Sequence, residues 1–210
     1  MIAGLPFVCP LPLEAAVRAA YAAPPRAYHS FSHVEEVLGH MAVVPAWNDA
    51  VAVSLAILFH DAVYEAGKPG NEARSAELAR TLIARELPQH VARIERVSEL
   101  IMLTAQHGRL ERHAVDEEAA LFLDCDMAVL GSDAARYAEY ERAIAEEYCA
   151  LSPELFRAGR ASFLRSLLAK PHIYLSPFFE RRLDARARAN LAKALRELET
   201  VSASEDGSAG

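Results

Sequence analysis

A nearly uninterrupted apolar stretch, VAVSLAILF at residues 51–59, is the feature that most limits how this chain can fold. As part of a helix from Asp49 to about residue 65 it is apolar on every side, which is typical of a helix in the protein interior. His60 and Asp61 follow it directly. An imidazole and a carboxylate at the inner end of a buried helix cost several kcal/mol unless they are hydrogen-bonded, paired or bound to a metal. The sequence therefore predicts partners for this pair elsewhere in the chain.

Helix-forming residues and boundary signals predict an all-α, single-domain bundle of about eight helices. Ala, Leu, Glu and Arg are abundant, and no run of alternating β-branched residues favours a strand. Ser32 and Glu35 have the spacing of a capping box, and Ser152 and Ser176 each precede a proline in a first helical turn. The candidate helical segments are 13–22, 32–43, 49–65, 72–86, 89–107, 115–130, 133–149, 153–169 and 177–200.

No Gly/Ser-rich linker divides the chain, so we expect one helical domain over residues 1–200. Within it, a core at about 26–131 is expected to carry the site, and 132–200, which is richer in Arg and Glu, is expected to form an outer helical layer. Residues 201–210 are small and polar, which predicts a disordered tail.

Composition and charge exclude several classes of protein. Charged residues make up 24% of the chain and hydrophobic residues 52%, which excludes disorder as the overall class. The net charge of -7 argues against nucleic-acid polymers and anionic membranes as partners. The three cysteines form no CxxC pair, so neither a disulfide framework nor a zinc knuckle is indicated. With no basic, apolar leader at the N-terminus, the expected location is the cytoplasm.

Two other segments offer partners for His60 and Asp61. His33 lies in the motif YHSFSH, which places it four residues after His29. In the segment LFLDCDMAVLG, two aspartates are separated by about 200° around a helix, so only one of them can face the site. Asp126 shares its stripe with apolar residues, which predicts that it is the more deeply placed carboxylate and that Asp124 points elsewhere.

His33, His60, Asp61 and Asp126 form a mixed nitrogen and oxygen set. Such a set suits one divalent ion such as Mn²⁺, Fe²⁺, Zn²⁺ or Co²⁺ better than Ca²⁺, and Ni²⁺ and Mg²⁺ remain candidates. Adjacent His60 and Asp61 can reach the same ion only if the ion lies near the helix end, where the carbonyl dipoles also favour a cation.

Four ordered segments resemble the HD-domain superfamily: RAYHSFSHVEEVL, AILFHDAVYEAGKPGNEARSA, LTAQH and LFLDCDMAVLG. They are most similar to its bacterial subgroup of predicted metal-dependent phosphohydrolases, over about residues 26–131 and more weakly beyond. The resemblance implies an all-α core in which the residues that match the family motif bind a divalent metal and hydrolyse phosphate esters. Those residues are His33, His60, Asp61 and Asp126.

Other polar residues are candidates for the chemistry around such a metal. Asp61 is expected to orient a water molecule, and Arg26, just before the YHSFSH motif, to grip the phosphoryl group in a bidentate manner. Glu65 and Glu72 are candidates for a direct catalytic part, such as proton donation. Substrate contacts are expected from His29 and His107.

Three functions remain open at this level. The first is an enzyme that hydrolyses a phosphate ester or anhydride of a small metabolite, with a nucleotide as one candidate and a homodimer as a candidate assembly. The second is a dinuclear iron oxygenase, in which His107 and His113 would supply further ligands. The third is a non-catalytic sensor or interaction protein that a metal stabilises.

Overall fold

The chain is all-α in the computed structural model, which describes residues 2–23 and 26–206. Within those residues it forms nine α-helices and no β-strand, so the all-α prediction is confirmed. The α-helices are α1 Leu11–Tyr21, α2 Phe31–Ala42, α3 Ala50–Phe59, α4 Asn71–Glu86, α5 Ile94–Thr104, α6 Glu117–Met127, α7 Ala134–Glu147, α8 Pro153–Leu168 and α9 Pro177–Asp206. Shorter 3₁₀ segments lie at Pro88–Arg93, Arg112–Ala114 and Ala128–Gly131.

Helix α3 lies at the centre of the bundle, as its apolar sequence predicts. Every residue from Ala52 to Phe59 is buried, and α2, α4 and α5 pack around the helix. Asp49 caps it by accepting a hydrogen bond from the Ala52 backbone N–H at 3.1 Å. The helix ends at Phe59 rather than near residue 65. The backbone forms a tighter turn there, in which the Ala62 N–H donates to the carbonyl of Phe59, three residues earlier, at 3.0 Å. His60 and Asp61 therefore lie in a turn at the inner end of a buried helix.

Three other predicted boundaries differ from the structure. Ser30, not Ser32, is the N-cap of α2, and the Ser32 hydroxyl bonds to that of Ser30 at 2.8 Å. The predicted helix 89–107 is divided into a 3₁₀ segment that begins at a proline and the α-helix α5. The predicted helix 115–130 continues after α6 as a 3₁₀ segment.

Helix α9 packs on the C-terminal end of α6 and on the 3₁₀ segment that follows it. A Cβ atom on Gly131 would lie only 2.6 Å from the Cβ of Leu183, so this close contact requires a glycine. The helix extends to Asp206, six residues beyond the predicted helix end at residue 200, and residues 207–210 of the predicted tail lie outside the described part of the chain. No helix in the described ranges has the length and apolar character to cross a membrane.

Candidate metal centre

The predicted ligands from three helices meet at one point. His33 lies in the first turn of α2, His60 directly follows α3, and Asp126 is near the end of α6. The Nε2 atom of His33 lies 2.9 Å from Oδ1 of Asp126 and 3.1 Å from Nε2 of His60. One ligand atom from each of the three lies within 4.8 Å of the others. This cluster could hold a metal ion, as the sequence predicts.

Asp61 lies at the edge of the cluster. Its Oδ2 atom is 3.0 Å from Nε2 of His60 and 3.8 Å from Nε2 of His33. Its side chain is 17% exposed, whereas that of His60 is 1% exposed. Asp61 thus borders both the buried histidines and the adjoining cavity, which is where a ligand shared between an ion and a water molecule would be.

The hydrogen bonds of the histidines fit a cation. Nδ1 of His60 lies 2.9 Å from the Ile57 carbonyl, which can only accept, so Nδ1 carries a proton and the neutral ring directs a lone pair on Nε2 at the cluster. That lone pair faces Nε2 of His33 and the carboxylate of Asp126. Nδ1 of His33 is buried and has no hydrogen-bond partner among the described residues. The Nε2 atoms of both histidines and a carboxylate oxygen of Asp126 therefore face one point, where a divalent cation could bind all three.

Electrostatics also favours positive charge at this point. Burial lowers the pKa of His60, but the carboxylates of Asp61 and Asp126 outweigh burial and raise it well above its usual value. Burial raises the pKa of the two aspartates, yet the charges and hydrogen bonds of the surrounding histidines, His60 first among them, together outweigh burial and lower both pKa values. The negative charge of the two carboxylates would attract a metal cation to the same point.

His107 supports the cluster from the other side of Asp126. Its Nε2 atom lies 2.6 Å from Oδ2 of Asp126, while Oδ1 faces the two clustered histidines. The residue lies just beyond α5, and its N–H donates to the Thr104 carbonyl at 3.2 Å. The sequence predicts a substrate contact for His107, and the residue does line the cavity, but its hydrogen bond also places it to orient the carboxylate of Asp126. His113 is exposed on a 3₁₀ turn and does not line the cavity, so it is not brought to the cluster.

Arg26 has a different role from the predicted grip on phosphate. Its Nη1 donates to the carbonyls of His29 and Asp61 at 2.8 and 2.7 Å, and its Nη2 donates to the carbonyl of Ala62 at 3.0 Å. It does not line the cavity. The guanidinium therefore holds the main chain of the turn that carries Asp61, because both of its terminal nitrogens donate to backbone carbonyls.

The two glutamates that the sequence predicts to be catalytic have different surroundings in the structure. Glu65 pairs with Lys68 at 2.5 Å and with Arg74 at 2.6 Å, and these hydrogen bonds lower its pKa to about 2. It does not line the cavity, and an ionised carboxylate suits proton donation poorly. Glu72, in the first turn of α4, does line the cavity.

Asp124 points away from the cluster, as predicted, although the predicted reason was wrong. It is the more deeply buried of the two aspartates, at 2% exposure. Its Oδ1 accepts a hydrogen bond from the Leu175 N–H at 2.8 Å, and its Oδ2 accepts from the N–H and hydroxyl of Ser176, both at 2.6 Å. Burial raises the pKa of Asp124 to about 7, against the three donors, which lower it. Asp124 thus ties α6 to the start of α9.

A cavity of about 460 Å³ adjoins the cluster, and a histidine and glutamate pair lies beside it. Nδ1 of His29 lies 2.6 Å from Oε2 of Glu147, whose Oε1 accepts from the N–H groups of Tyr28 and His29. The His29 ring stacks on Tyr64 at a centroid distance of 4.0 Å. Since His29 lines the cavity and Nδ1 is engaged, Nε2 is the nitrogen left to face a ligand.

No protein-family model, curated protein or solved structure matches this chain. The resemblance to the HD-domain superfamily therefore remains a prediction from the four sequence segments. The residues of the site carry the inference about function.

Sequence reasoning missed the contribution of α7 and α8, which had been expected to form an outer layer. Glu147 and Arg160 were not identified, and neither was the stripe of Tyr140, Ile144 and Tyr148, which lines the cavity. The sequence does contain a signal that could have identified Glu147. Glu147 lies on the same helical face as Tyr140 and Ile144, and a carboxylate on an apolar stripe requires a partner.

Proposed function

We propose that this chain is a metal-dependent phosphohydrolase that acts on a small phosphorylated metabolite. The observation that carries the proposal is the meeting of His33, His60, Asp61 and Asp126 beside a cavity that is also lined by His29, the partner of Glu147. The same residues and their order in the chain resemble the motif of the HD-domain superfamily.

The clustered side chains would bind the ion and position the attacking water. His33, His60 and Asp126 surround a single point, and Asp61 borders both that point and the cavity. A divalent metal there supplies Lewis-acid polarisation of a phosphoryl oxygen and lowers the pKa of a water molecule. The carboxylate of Asp61 can then accept a proton from the water while the water oxygen forms a bond to phosphorus.

The His29 and Glu147 pair is suited to protonate the leaving oxygen. Glu147 is almost fully buried; burial raises its pKa, but its hydrogen bonds with His29 and with two backbone N–H groups outweigh burial and lower it. The carboxylate holds Nδ1–H of His29, so the ring keeps one orientation. When the bond between phosphorus and the leaving oxygen breaks, a proton on Nε2 passes to that oxygen.

The direct experiment combines metal analysis with a phosphoester panel. Protein purified without chelators is analysed for metals, and phosphate release is measured with added Mn²⁺, Co²⁺, Ni²⁺, Zn²⁺, Fe²⁺ and Mg²⁺. We expect about one ion per chain and turnover of at least one monoester, and both are lost in Asp61→Asn. A matched control is Asp133→Asn, because Asp133 is an exposed helix cap that does not line the cavity.

Two results would contradict the proposal. Metal-dependent melting with no turnover of any phosphoester would support the sensor or interaction protein. Oxygen consumption by an iron-loaded protein would support the oxygenase, although the exposed position of His113 argues against it.

A further inference from the structure

The cavity continues from the metal cluster into a lobe formed by α7, α8 and the turn between them. We call this the aromatic lobe. Its lining residues are Tyr140, Ile144, Tyr148, Leu151, Leu155, Phe156, Gly159, Arg160 and Phe163. Tyr148 and Phe156 form a ring pair at a centroid distance of 5.9 Å. The cavity is thus lined both by carboxylates of the metal cluster, from Asp61 and Asp126, and by the rings and aliphatic side chains of the aromatic lobe.

Positive charge is available at only one end of the cavity. Arg160 is the one Lys or Arg among the described lining residues, and it is already used. It makes a bidentate pair with Glu141, at 3.1 Å from Nε and 2.7 Å from Nη2, and its guanidinium lies 5.0 Å from the Tyr140 ring. Glu72 adds a carboxylate to the lining. A second or third phosphate in the lobe would therefore find no unpaired cation from a described Lys or Arg side chain.

A glycine keeps the lobe open. Gly159 lies within α8, where glycine is unfavourable compared with alanine. A Cβ atom at this position would have nothing within 4 Å, so no neighbouring side chain demands a glycine. Because Gly159 lines the cavity, the missing side chain leaves space at its mouth, beside the exposed Leu155.

We infer that the substrate is a phosphate monoester whose leaving group carries an uncharged aromatic ring, with the phosphoryl group at the metal cluster and the ring in the aromatic lobe. This inference rests on the proposed function for the position of the phosphoryl group. The position of the ring is inferred from the residues that line the aromatic lobe and does not depend on the proposed function.

Binding of phosphonates tests the ring without requiring turnover. The Kd values of 2-phenylethylphosphonate, octylphosphonate and ethylphosphonate are measured by calorimetry on the protein with its metal. Burial of the phenyl ring is expected to make 2-phenylethylphosphonate bind at least about 10-fold more tightly than ethylphosphonate. The corresponding phosphate monoesters have leaving alcohols of similar acidity, so their kcat/KM values are expected to follow the same order.

Gly159→Leu is the variant that separates a binding lobe from a structural one. A leucine fills the open space at the lobe, so the preference for the phenyl compound is expected to fall to about 2-fold or less. Replacing a helical glycine does not weaken the helix, so a loss of folding is not the expected cause. Gly39→Leu is the matched control, because Gly39 is also helical, has nothing within 4 Å of its Cβ position and lies outside the cavity lining.

The outcomes test the ring assignment and the proposed function separately. Equal Kd values for the phenyl and ethyl compounds, or a preference that survives Gly159→Leu, overturn the ring assignment. Tighter binding of octylphosphonate than of the phenyl compound also overturns it, since the lobe would then hold an alkyl chain. A ring preference that Gly159→Leu abolishes upholds it, and if no monoester is hydrolysed the proposed function alone fails.

Discussion

Asp124 and Asp126 lie two residues apart on α6 but face opposite sides of the helix. Asp126 meets His33 and His107, with Oδ1 and Oδ2 each 2.9 Å or less from an imidazole nitrogen. Asp124 meets the backbone and hydroxyl donors of Leu175 and Ser176. Both carboxylates have hydrogen-bond partners. The partners of Asp126 are imidazoles that could also bind a cation, whereas those of Asp124 are fixed donors of the same chain.

The partners explain why only one of them belongs to a site. Main-chain N–H groups cannot move away, so the Asp124 side chain is a fixed structural connection between α6 and α9. The imidazoles around Asp126 can ligate an ion as well as hydrogen-bond to a carboxylate. Burial is therefore a poor guide to function here, since the more buried carboxylate is the structural one.

The largest expected effect is the loss of the metal in Asp126→Asn. The substitution removes an anionic ligand, so bound metal should fall from about one ion per chain to background. Substitution of residues that only orient metal ligands lowers metal affinity or activity by about 10- to 100-fold. Removal of a ligand itself should therefore lower phosphoester turnover by more than about 100-fold. Metal analysis beside steady-state kinetics measures both. Full metal content in this variant would remove Asp126 from the ligand set.

The paired experiment is Asp124→Ala, which should affect stability and not metal binding. It leaves three donors in the interior without an acceptor, and we expect a loss of roughly 3 kcal/mol in the free energy of unfolding. Thermal unfolding of the two variants at the same pH, with metal content measured on each, tests the comparison. If Asp124→Ala loses its metal while remaining folded, the two carboxylates are not functionally separate.

The sequence predicted the cluster better than the groups around it. His60 and Asp61 could be assigned because a buried apolar helix ends at them. Helix geometry showed that only one of the two aspartates on α6 could face them, although the choice of Asp126 rested on a burial argument that was wrong. Arg26 could not, because proximity along the chain does not reveal whether a guanidinium faces a substrate or a carbonyl. Glu147 could not be paired with His29, since 118 residues separate them and only the packing of α7 brings them together.

Glu147 is a third carboxylate to compare with Asp124 and Asp126, because it holds an imidazole ring and does not contact the proposed metal ion. In Glu147→Gln the anion that holds Nδ1–H of His29 is lost, and we expect kcat to fall by about 100-fold for monoesters of poor leaving groups. Esters of p-nitrophenol, which leave without a proton, should be much less affected. Unchanged metal content is expected. An equal loss for both ester types would indicate a structural role for Glu147.

Arg26 tests whether the turn after α3 must be held for the cluster to form. Since its guanidinium binds the carbonyls of Asp61 and Ala62, Arg26→Ala should weaken metal affinity by roughly 10-fold or more. A phosphate-binding arginine would instead leave metal affinity intact and raise KM. Titration of the chelator-treated variant with Zn²⁺ or Mn²⁺ distinguishes the two roles.

The smallest expected effect is in the pH dependence of stability. Without metal, the folded-state pKa of His60 is raised by two carboxylates, so its stabilising contribution is complete below about pH 6.5 and is lost as pH rises through the folded pKa. With metal bound, His60 carries no proton on Nε2 and this loss is absent. The increase in stability that metal gives should therefore grow with pH at every pH below the folded-state pKa of His60, by at most about 1.4 kcal/mol per pH unit for one proton.

Asp124 provides the internal reference for this measurement. Its folded-state pKa of about 7 lies above that of an unfolded aspartate, so its contribution also falls as pH rises, over a range of about pH 4 to 7. That loss occurs with and without metal, because Asp124 does not touch the cluster, and it cancels in the difference between the two forms. Chelator-treated and metal-loaded protein are unfolded in denaturant at several pH values from 5 to 9. A difference that stays constant across this range would show that no proton occupies the place of the cation in the His60 cluster.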